Sequence, residues 1–229
     1  MVLKKLIFIL VLLPSATFYS QQIDKSNFCA HNKEIYEELA RNPLFQRTLD
    51  SVKLVQKAHL EEYKRTTATS RARTVYYIPI VYHIIHQGGP ENISDAQIHD
   101  DLEQLNMMFR KQNPSVNNVK SNFKNITADI EIEFRLAQKK DDGTCFSGIT
   151  RTNSPTTSGA NGSARVNAVS SVHGDFPGDK YLNVFVADEI GGAAGYTVQP
   201  FPGFTSMGNG IHILHTYIGR FGTSLQTGE

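Results

Sequence analysis

The stretch TVYYIPIVYHIIHQ, residues 74–87, decides the fold class. β-branched and aromatic residues occupy both parities of the run, so a strand built from it hides both of its faces. Such a strand belongs inside a sheet that is covered above and below, as in α/β proteins. Gly88, Gly89 and Pro90 stop it. The next segment, SDAQIHDDLEQLNMMF (94–109), sets Ser94 and Gln97 at capping-box spacing and brings Ile98, Leu102, Leu105 and Phe109 onto one helical face. The spacing predicts a helix of about four turns docked on the sheet through that face.

Working toward the C-terminus, ADIEIEFRLAQ (128–138) alternates Ile130, Ile132, Phe134 and Leu136 with polar residues, the pattern of a half-buried strand. KYLNVFVADEI (180–190) and GIHILHTYI (210–218) read as further strands, and GGAAGYTVQP (191–200) as a loop or edge strand. The Ser, Thr, Gly and Asn-rich piece at 152–163 reads as irregular. Strand, helix, strand, strand, strand gives a mixed α/β sheet with a helix on one face. No internal repeat is present.

Working toward the N-terminus, KRTTATSRAR (64–73) holds four basic residues and no acid, the composition of an exposed, protease-sensitive linker. Before it, Ile35, Leu39, Leu49, Val52, Val55 and Leu60 recur at helical spacing over about 32–64, with a break expected at Asn42 and Pro43. At the start, Lys4 and Lys5 precede LIFILVLL (6–13), and Pro14, Ser15 and Ala16 lead into polar residues. A basic start, a short apolar run and a small-residue exit make a secretory signal peptide, too short to span a bilayer as a mature helix. The expected division is therefore 1–20 signal, 21–73 helical leader with linker, and 74–229 the main domain. Localisation follows as secreted or periplasmic. The 229 residues, 40% of them hydrophobic, can fill one core with flanking segments, and a net charge of +1 gives no pull toward nucleic acid or a membrane surface. Export permits a disulfide between the two cysteines, Cys29 and Cys145, or leaves one thiol as a metal ligand.

Few residues advertise chemistry. His212 and His215, like His83 and His86, stand three apart on predicted strands, where side chains alternate faces, so neither pair can chelate a metal from one side. The sequence contains no G-x-S-x-G elbow, P-loop or G-x-G-x-x-G. Sequons stand at Asn92, Asn125 and Asn161.

Five stretches taken together do carry a resemblance: IPIVYHIIHQ, then NISDAQIHDDLEQLNMMFRKQNP, then IEFRLAQKKDDG with GITRT, then KYLNVFVADEIGGAAGYTVQP, and finally GIHILHTYIG. In order and spacing they resemble the front half of pappalysin-type (cytophagalysin) zinc metalloproteases, from about Thr74 to the last residue. The resemblance implies a metzincin-like subdomain with a twisted, mixed five-stranded sheet, one packed helix and one antiparallel edge strand, preceded by a helical propeptide. It implies a protein or peptide substrate, a Zn2+ ion in the complete protein, and leaves Ca2+ open as a second metal. The family's H-E-x-x-H-x-x-G-x-x-H helix has no match in these residues. The chain is accordingly expected to stop before its catalytic helix and to be inactive by itself, the alternative being a non-catalytic exported binding domain for peptide or protein. By the same resemblance Gly195, Tyr196 and Thr197 form the substrate-binding edge, against the alternative of a flexible glycine loop. Arg71 and Arg73 become activation-cleavage sites. Cys29 becomes a latent-state zinc ligand, a cysteine switch, with a Cys29–Cys145 bridge as its rival.

Overall fold

The computed structural model describes residues 43–66, 74–197 and 206–225. Its centre is β1 (Tyr76–His86), buried from Ile80 to Ile85 and paired along both edges. On one edge lies β4 (Leu182–Ala187), parallel, with Ile80 opposite Leu182 and Ile84 opposite Val186. The other edge carries two short parallel strands in line: β2 (Ile132–Leu136) beside Tyr76–Ile80, and β3 (Ile149–Asn153) beside Tyr82–His86. Beyond β4 comes β6 (Ile211–Leu214), parallel, and then β5 (Gly195–Thr197), antiparallel, at the edge. The α-helices among the described residues are α1 (Pro43–Thr66), α2 (Asp95–Phe109) and α3 (Gly162–His173).

The double-sided burial foreseen for β1 requires cover on both faces, and two cores supply it. On one face Ile80, Tyr82 and Ile84 meet Phe134, Val184, Val186 and Ile98, with Leu102, Leu105 and Phe109 of α2 packed against them. On the other, Val81, Ile85 and Phe185 meet Val169 of α3, Phe176, Tyr181 and Met207. At about 1.5–3 kcal/mol per fully buried aliphatic or aromatic side chain, these two layers dominate the stability of the sheet.

The mixed α/β sheet matches expectation, with informative differences. Six strands fill five positions, because the GITRT stretch, which the sequence reading assigns to no strand, is β3. The chain leaves β2 at Ala137, whose N–H donates to Ile80 O, and rejoins β1 where Tyr82 N–H donates to Gly148 O. At that junction a Cβ on Gly148, whose φ is +80°, would stand 2.6 Å from Leu136 Cβ, so the residue must be glycine. β2 begins late, at Ile132, because Glu131 adopts a left-handed φ of 59°. The last predicted strand ends at Leu214 and gives way to a short 3-10 turn over His215–Tyr217.

A second packed helix, α3, lies where an irregular segment was expected. Asn161 caps it, accepting from Ala164 N–H at 3.0 Å. α1 begins at Pro43, as the break predicted, and runs to Thr66, so the first three residues of the expected linker are helical. Arg71 and Arg73, the signal segment and Cys29 lie outside the described residues. No described helix is long and apolar enough to cross a membrane.

Candidate functional site

Among the described residues β5 pairs only with β6, so its far side is a sheet edge. Opposite residues in an antiparallel ladder alternate between hydrogen-bonded and non-bonded pairs. Leu214 N–H donates to Ala194 O at 3.0 Å, which makes Gly195 opposite Ile213 a non-bonded pair, its N–H and C=O turned away from β6. The loop before the strand is built rather than slack. Glu189 accepts from the N–H groups of Gly191, Gly192 and Gly159, while Ile190, Ala193 and Ala194 are buried. Gly191 and Gly192, with φ of 78° and 79°, supply the left-handed turn that lets both amides reach one carboxylate.

Of the three residues expected to touch a peptide, Gly195 presents backbone, and Thr197 Oγ1 donates to Gly210 O at 3.2 Å. Tyr196 points its side chain inward. Its ring is the end of a cross-strand row: His83 of β1 stacks on Phe185 of β4, Phe185 on His212 of β6 and His212 on Tyr196, with centroids 4.7–4.8 Å apart. Register puts these four residues opposite one another on the α3 side of the sheet. Opposite His212, Tyr196 also sits at a hydrogen-bonded position, so its N–H and C=O turn toward β6 and the outward backbone groups of the edge are those of Gly195 and Thr197.

The histidines are held by protein. His83 Nδ1 bonds Thr150 Oγ1 at 2.8 Å and its Nε2 bonds Asn183 Oδ1 at 3.0 Å. Burial pushes its pKa down to about 4, against the Asn183 hydrogen bond and with help from the charge of His173. His212 Nδ1 accepts from Arg165 Nε at 3.4 Å, and burial first, then the guanidinium and His83, bring its pKa to about 3. His215 Nδ1 bonds Thr223 Oγ1 at 2.9 Å, and its Nε2 stands 3.6 Å from Asp188 Oδ1. Burial lowers the His215 pKa, opposed by Asp188 and Glu91. His86 Nδ1 accepts from Gly88 N–H at 3.2 Å.

A zinc ion needs three or four convergent deprotonated ligands. Among the described residues no three His, Cys, Asp or Glu side chains converge to hold a metal, and a guanidinium against His212 repels any cation. These residues do not fit the ion that the sequence resemblance implies. Cys145 is a free, exposed thiol.

Sequence reasoning missed one organised feature altogether. Ser94 does cap α2, accepting from Gln97 N–H at 3.2 Å, but the Gln97 side chain does not complete the box. It turns instead to the segment after β6, donating to Ile218 O at 2.9 Å and accepting from Thr223 N–H at 3.3 Å. One turn on, Asp101 accepts from Gly219 N–H at 3.0 Å and from Tyr82 Oη at 2.6 Å, and Asp100 accepts from Arg220 N–H at 2.7 Å. Residues at i, i+3 and i+4 of one helix thus clamp the chain as it leaves the sheet. Burial raises the Asp101 pKa, whereas hydrogen bonds from Arg220 lower that of Asp100.

A mostly parallel sheet with one antiparallel edge and packed helices has counterparts among solved structures. The fold matches that of promirolysin and mirolysin. A point mutant of promirolysin from Tannerella forsythia superposes with a TM-score of 0.68 at 27% identity, covering 88% of this chain. Mirolysin in complex with compound 9 gives 0.56 at 30% identity over 68% of the chain, and Tannerella forsythia mature mirolysin in complex with a cleaved peptide gives 0.57 at 29% over 69%. The chain spans 64% of the promirolysin chain and 59% of each mirolysin chain. No protein-family model matches the sequence, and no curated protein sequence does either.

Proposed function

We propose that these residues form the substrate-binding upper part of a secreted, pappalysin-type zinc endopeptidase that is made as a latent precursor. The observation that carries this is the antiparallel edge strand β5 in a sheet shared with metallopeptidases, one of them solved with a cleaved peptide. An extended peptide can add to that edge as a further strand, with the outward N–H and C=O of Gly195 supplying main-chain hydrogen bonds. Gly195, Tyr196 and Thr197 are then the contact strand, and selection among substrates falls to pockets flanking it.

The precursor reading draws on the extents of the matches. The promirolysin match covers about a fifth more of this chain than the mirolysin matches do. Residues 74–229 make up 156 of the 229, about 68%, the same share as the mirolysin matches. That agreement supports a propeptide before Thr74 and activation after Arg71 or Arg73, and the N-terminal signal pattern supports export.

Hydrolysis itself needs metal ligands that the described residues do not bring together, since no H-E-x-x-H occurs in the sequence and no three metal-ligating side chains converge among the described residues. The zinc, and any calcium, belong on this reading to the complete protein, and the chain given has no peptidase activity of its own. His83, held by Thr150 and Asn183, and His215, held by Thr223, also favour a second reading, an exported peptide-binding domain that never cleaves.

The deciding experiment uses the protein expressed from its whole natural gene, with metal content, peptide cleavage and peptide binding measured in parallel. The proposal expects stoichiometric zinc and chelator-sensitive cleavage, weakened when the backbone amides of the peptide are N-methylated at positions that pair with β5. Peptide binding without zinc or cleavage would establish the second reading instead.

A further inference from the structure

Arg165 is fully buried, and among the described residues no carboxylate bonds it. Its five N–H donors find Gly159 O, Tyr196 Oη at 3.1 Å and His212 Nδ1 at 3.4 Å, all neutral acceptors. The acid of the neighbouring loop, Glu189, spends its oxygens on the backbone of Gly159, Gly191 and Gly192. A buried cation left without an anion is a costly arrangement that structures avoid unless something answers the charge.

Beside this group lies a cavity of about 250 Å³, lined by Gly162, Ser163, Val166 and Asn167 of α3 and by Tyr196 and His212 of the sheet, among others. No acidic side chain lines it. The N-terminal turn of α3, twelve residues long, forms one wall and brings the positive end of the helix dipole. His212 is 1% exposed. Its Nδ1 accepts from Arg165, so its proton resides on Nε2, beside Gly162 on the cavity wall, where a Cβ would come within 3.4 Å of that nitrogen. Nε2 has no hydrogen-bond partner among the described residues. The guanidinium hydrogen bond on Nδ1 polarises the His212 ring into a stronger donor toward the cavity.

We infer that this cavity binds a small carboxylate, received by His212 Nε2–H in the positive field of Arg165 and the α3 N-terminus. The volume, under the roughly 300 Å³ at which drug-sized ligand pockets begin, fits an ion of a few heavy atoms. The site lies on the α3 side of the sheet, opposite α2, and holds independently of the peptidase reading. Gly162 is part of its construction: a Cβ there would stand 2.3 Å from Tyr196 Oη and close the gap.

The test is a titration of the full-length, 15N-labelled protein with sodium acetate replacing sodium chloride at constant ionic strength, observed through the His212 side-chain nitrogens. The expected result is a saturating shift of Nε2–H with acetate bound about tenfold more tightly than chloride. Ser163→Asp, which places a tethered carboxylate on the cavity wall, should abolish the response while leaving thermal stability within the parent's range. A peptide with a free C-terminus that competes where its amide does not would identify the peptide terminus as the source of the carboxylate, and competition by neither would identify a free acid. Identical, non-saturating responses to acetate and chloride would overturn the site. So would unchanged acetate affinity in Ser163→Asp, or binding of inorganic phosphate with none of acetate.

Discussion

Replacing Gln97 with leucine should unfasten the chain segment that leaves the sheet. The amide is buried and joins four groups: it donates to Ile218 O, His215 O and Thr223 Oγ1 and accepts from Thr223 N–H. Leucine keeps the volume and none of the hydrogen bonds. Thr223 Oγ1 retains His215 Nδ1, but Ile218 O and Thr223 N–H lose their side-chain partner. At about 1–3 kcal/mol for each buried backbone group left unsatisfied, and with Thr223 only partly buried, the expected loss is about 2–4 kcal/mol. With a urea m-value of about 2 kcal/mol/M, the unfolding midpoint falls by about 1–2 M. Hydrogen exchange should localise the effect, the Thr223 amide losing protection first. Gly222 gives an internal check, because a Cβ there would stand 2.3 Å from Gln97 Oε1 at a φ of +70°. Gly222→Ala and Gln97→Leu should therefore couple, the double variant costing less than the sum. A loss below about 0.5 kcal/mol, or strict additivity with Gly222→Ala, would refute the clamp, since surface substitutions stay within that limit.

Three further outcomes are expected. His83 and His212 have folded pKa values of about 4 and about 3 against 6.5 when unfolded, so the unfolded chain binds the extra protons and stability is lost as pH falls below 6.5. Between pH 6 and 4.5 two such groups give a slope approaching about 2.7 kcal/mol per pH unit, which His212→Gln should roughly halve; a flat profile there would contradict the burial of both rings. Limited trypsin digestion should cut after Arg71 or Arg73 and leave a stable fragment beginning at Thr74 or nearby, and N-terminal sequencing of a fragment starting elsewhere would remove the activation assignment. In the complete precursor Cys29→Ala should shorten latency, and a Cys29–Cys145 peptide in a non-reducing map would end the switch reading in favour of a bridge.

How much of this was legible in the sequence depended on where the determining partners lie. β1 and α2 could be read because their periodicity is local: an apolar run on both parities, and Ile98, Leu102, Leu105 and Phe109 on one face. α3 could not, because its inward face carries Arg165 between small and polar neighbours and so shows no apolar stripe, although Arg165 and Val169 are both fully buried. Its one local signal was Asn161 three residues before Ala164, a cap without an evident helix behind it. Gln97 was misassigned to its own helix start for the same reason: its partners are more than a hundred residues away. For the edge strand the residues alone offer a loop or edge strand over 191–200 and the resemblance selects the edge, since three residues after a glycine loop have no usable period.

The histidines show most clearly what spacing along the chain leaves out. Pairs three apart looked like the unit, yet the functional neighbour of His83 is Phe185 and that of His212 is Tyr196, set by register across strands. This row also explains why polar residues are retained in the sheet interior. Two apolar strands such as β4 and β6 would tolerate a one-residue slip if burial alone decided, apart from exchanging faces. Here a slip of β6 would set Ile211 or Ile213 opposite Phe185, take from Arg165 one of its three acceptors and carry His212 onto the apolar face beneath α2. A buried imidazole and a buried guanidinium, costly in themselves, penalise every register but the one observed, and that register places Gly195 at the edge with its backbone facing out.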